Sequence, residues 1–155
     1  MYFCQMSHND IVSLLENSQG MINMFTDNIF LWGTQKTISL MLEQGMTVYQ
    51  YVLSYEGSLS SGFGVDHNED WIYLFNPPFS SLPKNDLIVR NIVTGAWTNF
   101  AISGNPNSRD LNLPEWERCS SGQFPIKYYN ISGFNPAMEA RPDIGNRLKL
   151  WESFL

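Results

Sequence analysis

One heptapeptide, Gly64-Val65-Asp66-His67-Asn68-Glu69-Asp70, concentrates residue types that move protons. Its glycine relaxes the backbone, an imidazole follows, and after Asn68 come two acidic side chains at a predicted helix start. Histidine has an ordinary pKa close to neutrality, so it can serve as general base or general acid. On a loop it is more often solvated or structural, and the heptapeptide alone assigns His67 no reaction. Asp66, Glu69 and Asp70 could orient the ring, but acidic groups at a helix N-terminus ordinarily serve the helix dipole, and no catalysis is assigned to them.

The remaining chemistry-bearing residues are weaker candidates. Gly57-Ser58-Leu59-Ser60-Ser61-Gly62 has serines, yet the G-x-S-x-G spacing of a strained nucleophile elbow occurs nowhere in the chain, so this cluster reads as flexible loop. His8, beside Asn9 and Asp10, reads as a surface residue, and Tyr128 and Tyr129 read as strand residues. Cys4 and Cys119 lack metal-type spacing and are too few for a disulfide framework, so they leave the compartment open. Asn130-Ile131-Ser132 is a glycosylation sequon that matters only in a secreted parent. No metal or cofactor is implied.

Positioning His67 falls to the elements on either side. Thr47–Tyr55 is dense in β-branched and aromatic residues and predicts a strand covered on both faces, inside a mainly parallel sheet. Residues 56–63, rich in glycine and serine, form the loop at its end. Asn68–Phe75 predicts a short helix stopped by Pro77 and Pro78. From Asp86, the residues Leu87, Ile88, Ile92, Val93, Ala96, Trp97, Phe100 and Ala101 recur at helical spacing until Ser103-Gly104-Asn105-Pro106. Asp86 suits the positive end of that helix.

Elsewhere, Ile11–Glu16 predicts a short helix closed by Gly20, and Trp32–Gln44 a longer one with Gly45 just past its end. Leu31, Gln35, Ile38, Met41 and Leu42 give that second helix its apolar face. Ile126–Ile131 predicts a second strand, and Asp143–Leu155 a last helix with Ile144, Leu148, Trp151 and Leu155 in one stripe. Two strands cannot make an α/β core. The expectation is an incomplete sheet whose other strands lie elsewhere, and self-association through exposed strand edges and uncovered helix stripes.

Composition narrows the function classes. The 155 residues are 43% hydrophobic and 14% aromatic, enough for an ordinary globular core, so the five tryptophans and seven methionines read first as packing. Nine basic residues against fifteen acidic give a net charge of −6, which disfavours nucleic-acid binding. Apolar runs fall short of the ~20 residues of a membrane-spanning helix, and no signal peptide is expected at the N-terminus, so localisation is left open.

Several blocks resemble, in order, the type-B carboxylesterase family, which includes cholinesterases, insect juvenile-hormone-esterase-like enzymes and the non-catalytic neuroligins. Val48-Tyr49-Gln50-Tyr51 is similar to the family's V-Y-x-Y strand. Gly64 to His67 with Tyr73-Leu74-Phe75 resembles its G-x-x-H-x-x-[DE]-x-x-Y-[LV]-F block. Most specific is Trp97-Thr98-Asn99-Phe100-Ala101 with Gly104-Asn105-Pro106-Asn107, which resembles W-x-N-F-A-x-x-G-x-P-N, and Trp116 and Trp151 stand where later tryptophans are expected. The resemblance spans about residues 27–155 and leaves residues 1–26 as a weakly matched N-terminal segment.

The resemblance implies an α/β-hydrolase fold, of which this chain holds the C-terminal part: a few strands with packed helices. It implies that His67 is the last member of a triad running serine, acid, histidine in chain order, the first two lying outside this sequence. The expected substrate is a small-molecule carboxylic ester acted on by a complete parent, with the chain inactive alone. A neuroligin-like adhesion protein, using the same fold without turnover, is the alternative. In cholinesterases a disulfide joins the positions that align with Leu31 and Leu148, so here two apolar side chains replace that staple.

Overall fold

The computed structural model describes residues 18–62, 64–75, 81–107, 112–122 and 127–152. In chain order its elements are α1 (Ser18–Thr26), a π turn (Asp27–Leu31), α2 (Trp32–Glu43), β1 (Tyr51–Leu53), α3 (Glu69–Phe75), α4 (Lys84–Ser103), β2 (Tyr128–Ile131), β3 (Ala137–Glu139) and α5 (Pro142–Glu152). They fall into two compact units: residues 1–46, 120–126 and 140–155, and residues 47–119 and 127–139. The expected helix over Ile11–Glu16, Pro77, Pro78 and Leu155 lie outside the described residues.

In the first unit, α1, the π turn and α2 follow one another without a break. The Trp32 N–H donates to the Asp27 carbonyl five residues back, the spacing that defines a π turn. Asp27 is only 2% exposed and forms a bidentate pair with Arg147 of α5, at 2.7 Å to Nε and 3.0 Å to Nη2. The expectation that Gly20 closes a helix is corrected: Gly20 is buried inside α1. A glycine costs a helix only about 1 kcal/mol, which packing readily outweighs. In α2, Gln35 and Ile38 are buried while Met41 is exposed; Gln44 caps the helix, and Gly45 follows at φ 71°. Along α5, Leu148 is fully buried, with Ile144 and Trp151 partly buried.

The second unit holds a three-stranded mixed sheet in the order β1-β2-β3. β1 runs parallel to β2, with Tyr51 opposite Tyr129 and Leu53 opposite Ile131, and β3 runs antiparallel to β2. The strand expected over Thr47–Tyr55 is therefore shorter than its composition suggests. Only residues 51–53 enter the ladder, and the Val48 and Gln50 carbonyls accept single bonds from the Cys119 and Tyr129 N–H groups at 2.9 and 2.8 Å. β1 is half-buried rather than covered on both faces, and among the described residues β2 is its only neighbour. β3 was not expected; it has three residues and a single large apolar side chain, Met138.

α4 supplies the core of this unit. Val89, Ile92, Val93 and Ala96 turn inward and meet Tyr73, Trp116, Tyr129 and Ile131. Each such large side chain contributes about 1.5–3 kcal/mol on burial. The other half of the expected stripe faces outward: Leu87, Ile88, Trp97 and Phe100 are all at least one-third exposed. The helix begins at Lys84, two residues before Asp86, and ends where Gly104, at φ 72°, donates its N–H to the Phe100 carbonyl at 2.7 Å. That left-handed cap favours glycine.

Candidate active site

The loop from β1 to α3 carries His67, and polar bonds fix it at several points. At Gly57 the Tyr73 hydroxyl sits where a side chain would begin, so a Cβ there would displace the Tyr73 ring. Ser60 Oγ donates to the Gly64 carbonyl at 2.7 Å, and the Gly64 N–H donates to Glu56 Oε1 at 3.4 Å. His67 and Asn68 are the central residues of a tight turn closed by the Glu69 N–H on the Asp66 carbonyl at 3.2 Å. Asn68 lies at φ 73°, and a positive φ at the third position of a turn selects glycine or asparagine.

Acidic neighbours anchor the turn rather than act. Glu69, 8% exposed, reaches back to accept the Asp66 N–H at 2.9 Å, as the carboxylate of a capping box does. Asp70 accepts the Tyr51 hydroxyl of β1 at 2.8 Å. Burial first, and then the Asp70 bond, push the Tyr51 hydroxyl well above its ordinary range, which keeps it a donor. Between these anchors the His67 side chain is exposed.

Asp86 is the residue that sequence reasoning undervalued. It is 2% exposed and accepts three bonds from the loop after β1: the Tyr55 hydroxyl at 2.8 Å, the Ser58 N–H at 3.1 Å and the Ser58 hydroxyl. Its place near a helix start suggested only a dipole role, because partners 28 and 31 residues away leave no local pattern.

The other candidates resolve into structural parts. Ser58 and Ser60 are spent on Asp86 and on the Gly64 carbonyl. Cys119 is buried, and burial pushes its thiol up, away from the reactive thiolate. Tyr128 and Tyr129 lie buried in β2. Asn130 Nδ2 donates to Glu139 Oε1 at 2.9 Å, so the sequon nitrogen is engaged in the sheet. His8 and Cys4 lie outside the described residues. Among the described residues no three His, Cys, Asp or Glu side chains form a metal-binding group, and no helix is long and apolar enough to cross a membrane. An open cavity of about 210 Å³ lies among Tyr49, Tyr51, Ala96, Trp97, Phe100, Pro106 and Trp116, and His67 does not line it. Shape and sequence therefore point to different places, and His67, carried on a fixed turn, is the candidate that the sequence supplies.

The most specific sequence block proves architectural. Asn107 binds both main-chain groups of Trp116, accepting its N–H at 2.8 Å and donating to its carbonyl at 3.0 Å. Trp116 in turn stacks on Tyr129 with ring centroids 4.9 Å apart and planes within 4°. Asn107 thus holds in place the tryptophan that roofs the sheet.

The sequence model of the carboxylesterase family matches residues 1–143. The chain belongs to that family. Juvenile hormone esterase of Tribolium castaneum is 36% identical over 122 residues, covering 63% of this chain and 21% of that protein. A carboxylic ester hydrolase of Bombus ignitus is 26% identical over 149 residues, covering 88% of this chain and 26% of its own length. In fold, the chain is similar to juvenile hormone esterase from Manduca sexta, with a TM-score of 0.72 at 19% identity over 89% of this chain and 28% of that one. A carboxylesterase of Geobacillus stearothermophilus gives a TM-score of 0.70 at 20% identity, covering 95% of this chain and 32% of its own. The fold is thus that of an α/β-hydrolase, and the chain spans about a fifth to a third of the length of these relatives.

Proposed function

We propose that residues 27–155 form the C-terminal, histidine-bearing portion of a serine carboxylesterase domain, with His67 as its general base. The supporting observation is the turn itself: an exposed imidazole at a tight turn whose flanks are fixed by Glu69 and Asp70, in a chain of the carboxylesterase family. In the complete enzyme, His67 takes the proton of a serine hydroxyl as the oxygen attacks the ester carbonyl. It returns that proton to the departing alcohol, leaving an acyl-serine. Water then repeats the sequence, giving up a proton to His67 and releasing the carboxylic acid and the free serine. The nucleophile and the acidic triad member come from outside these residues, and the substrate is a small-molecule carboxylic ester.

The proposal makes two linked statements. A polypeptide of these 155 residues alone neither cleaves p-nitrophenyl esters above a denatured control nor reacts with a fluorophosphonate probe, because activation needs a serine beside the base and placed oxyanion donors. In the complete esterase, His67→Ala lowers kcat by about three orders of magnitude or more, as loss of a triad member does. Probe labelling of a serine in the 155-residue chain that disappears in His67→Ala would overturn the first statement. A complete protein without turnover in the wild type would replace the enzyme by a binding protein of the same fold.

A further inference from the structure

We infer that Asp86 is a positioning residue for His67, a tether that fixes the loop from β1 to the histidine turn onto the first turn of α4. The inference rests on the esterase reading for its catalytic consequence, and on the geometry of this chain for the tether itself. A nearly fully buried carboxylate is costly unless its oxygens are satisfied. Here they are satisfied by one segment only: Oδ1 by the Tyr55 hydroxyl, Oδ2 by the main-chain and side-chain donors of Ser58. Charge-assisted bonds of this kind are about twice as strong as neutral ones. Tyr55 and Ser58 bracket Gly57, whose bare Cα lies under the Tyr73 hydroxyl of α3, so the loop is caught between two helices at one point.

From that point short-range bonds mark two further stages on the way to the histidine. Beyond Ser58, Ser60 closes on Gly64, Gly64 on Glu56, and Asp66 on Glu69, with His67 next in the chain. Every bond after Asp86 joins residues no more than eight apart. The Asp86 bonds tie the start of this stretch to α4, 28 and 31 residues on, beside the Tyr55 N–H bond to the Ile131 carbonyl that holds the same residue to the sheet. Burial, reinforced by the Asp86 carboxylate, pushes the Tyr55 hydroxyl upward, so it remains a donor through neutral pH. Loss of the tether frees the loop while leaving intact the face of α4 that carries Val89, Ile92 and Val93.

Three variants test this: Asp86→Asn, which sets an amide where Ser58 needs an acceptor, Tyr55→Phe and Ser58→Ala. In the 155-residue chain, each is expected to speed amide exchange over residues 58–67 by about tenfold, with the α4 amides unchanged. In a His8→Gln background, where His67 is the sole histidine, its ring proton resonance should shift or broaden in each variant and recover in Ser58→Thr, which keeps the hydroxyl. In the complete esterase, Tyr55→Phe and Ser58→Ala should lower kcat about tenfold with KM within about twofold, a split that general destabilisation does not produce. If Asp86→Asn fails to fold, the two donor variants carry the test. Unchanged exchange and an unchanged His67 resonance in Tyr55→Phe and Ser58→Ala would overturn the tether. A wild-type parent without turnover would instead remove the esterase reading, leaving exchange and resonance to judge Asp86.

Discussion

The His67 turn and the block from Trp97 to Trp116 share one unit and one family resemblance, yet opposite means hold them. The turn is polar and solvent-facing, kept in shape by carboxylates on main-chain and hydroxyl donors. The block is aromatic: Trp97 meets Tyr51 edge-on at 6.3 Å, Phe100 meets Tyr49 at 6.0 Å, and Trp116 stacks on Tyr129. Bonds of the first kind can be lost singly without opening the core, whereas contacts of the second kind are shared among rings and fail together. A reactive side chain placed on the first kind of support can be changed with little cost to the second.

The largest expected contrast comes from His67→Ala, which on the proposed role should lower turnover of the complete protein by about three orders of magnitude but change stability by no more than about 0.5 kcal/mol, as exposed substitutions do. Thermal melting followed by circular dichroism reads this, and a large drop in Tm would make His67 part of the scaffold. Trp116→Ala should cost about 3–5 kcal/mol through loss of its stack and the cavity left behind, measured by urea unfolding. Asn107→Ala should cost less, about 1–3 kcal/mol, because it strips partners from the Trp116 main chain while leaving the ring in place. If that cost matched the tryptophan's own, the asparagine would be holding more than one residue.

The mildest contrast concerns pH. Tyr51, Tyr55, Tyr73 and Tyr129 all have hydroxyls raised by burial above the ordinary 10.0, so folding keeps them neutral where an unfolded chain would ionise them. Their contribution to stability is therefore complete below pH 10 and is lost as pH rises past it. Unfolding free energy measured across the pH scale should show no loss from these groups at neutrality and a decline beginning near pH 10. A decline beginning near pH 8 would place the sensitive group elsewhere.

Much of this was legible in the sequence where a residue's own backbone or shape carries the signal. Gly45 and Gly104 mark helix ends because their positive φ favours glycine, and the run Glu69–Phe75 follows a histidine turn that uses asparagine for the same reason. The Ile92, Val93 and Ala96 face follows from helical spacing, although spacing did not tell which half of a wide stripe turns inward, and it left out Val89, which is fully buried beside them. Three features escaped because their causes are distant. Asp27 is buried by an arginine 120 residues on, Asp86 by a loop 28 residues back, and β3 owes its existence to the strand beside it rather than to its three residues.

The engaged sequon can serve as a clock. Once β2 and β3 pair, the Asn130 amide nitrogen is occupied by Glu139, nine residues later in the chain. Hairpins close in about 1–10 μs, whereas synthesis at about 5–20 residues per second needs on the order of a second to supply those nine residues. In a secretory compartment, the interval before that bond can form is set by the ribosome rather than by folding. A glycan would take one of the two amide hydrogens of Asn130 and leave the other to donate to Glu139, so sugar and sheet compete for one donor of a pair rather than for the whole side chain.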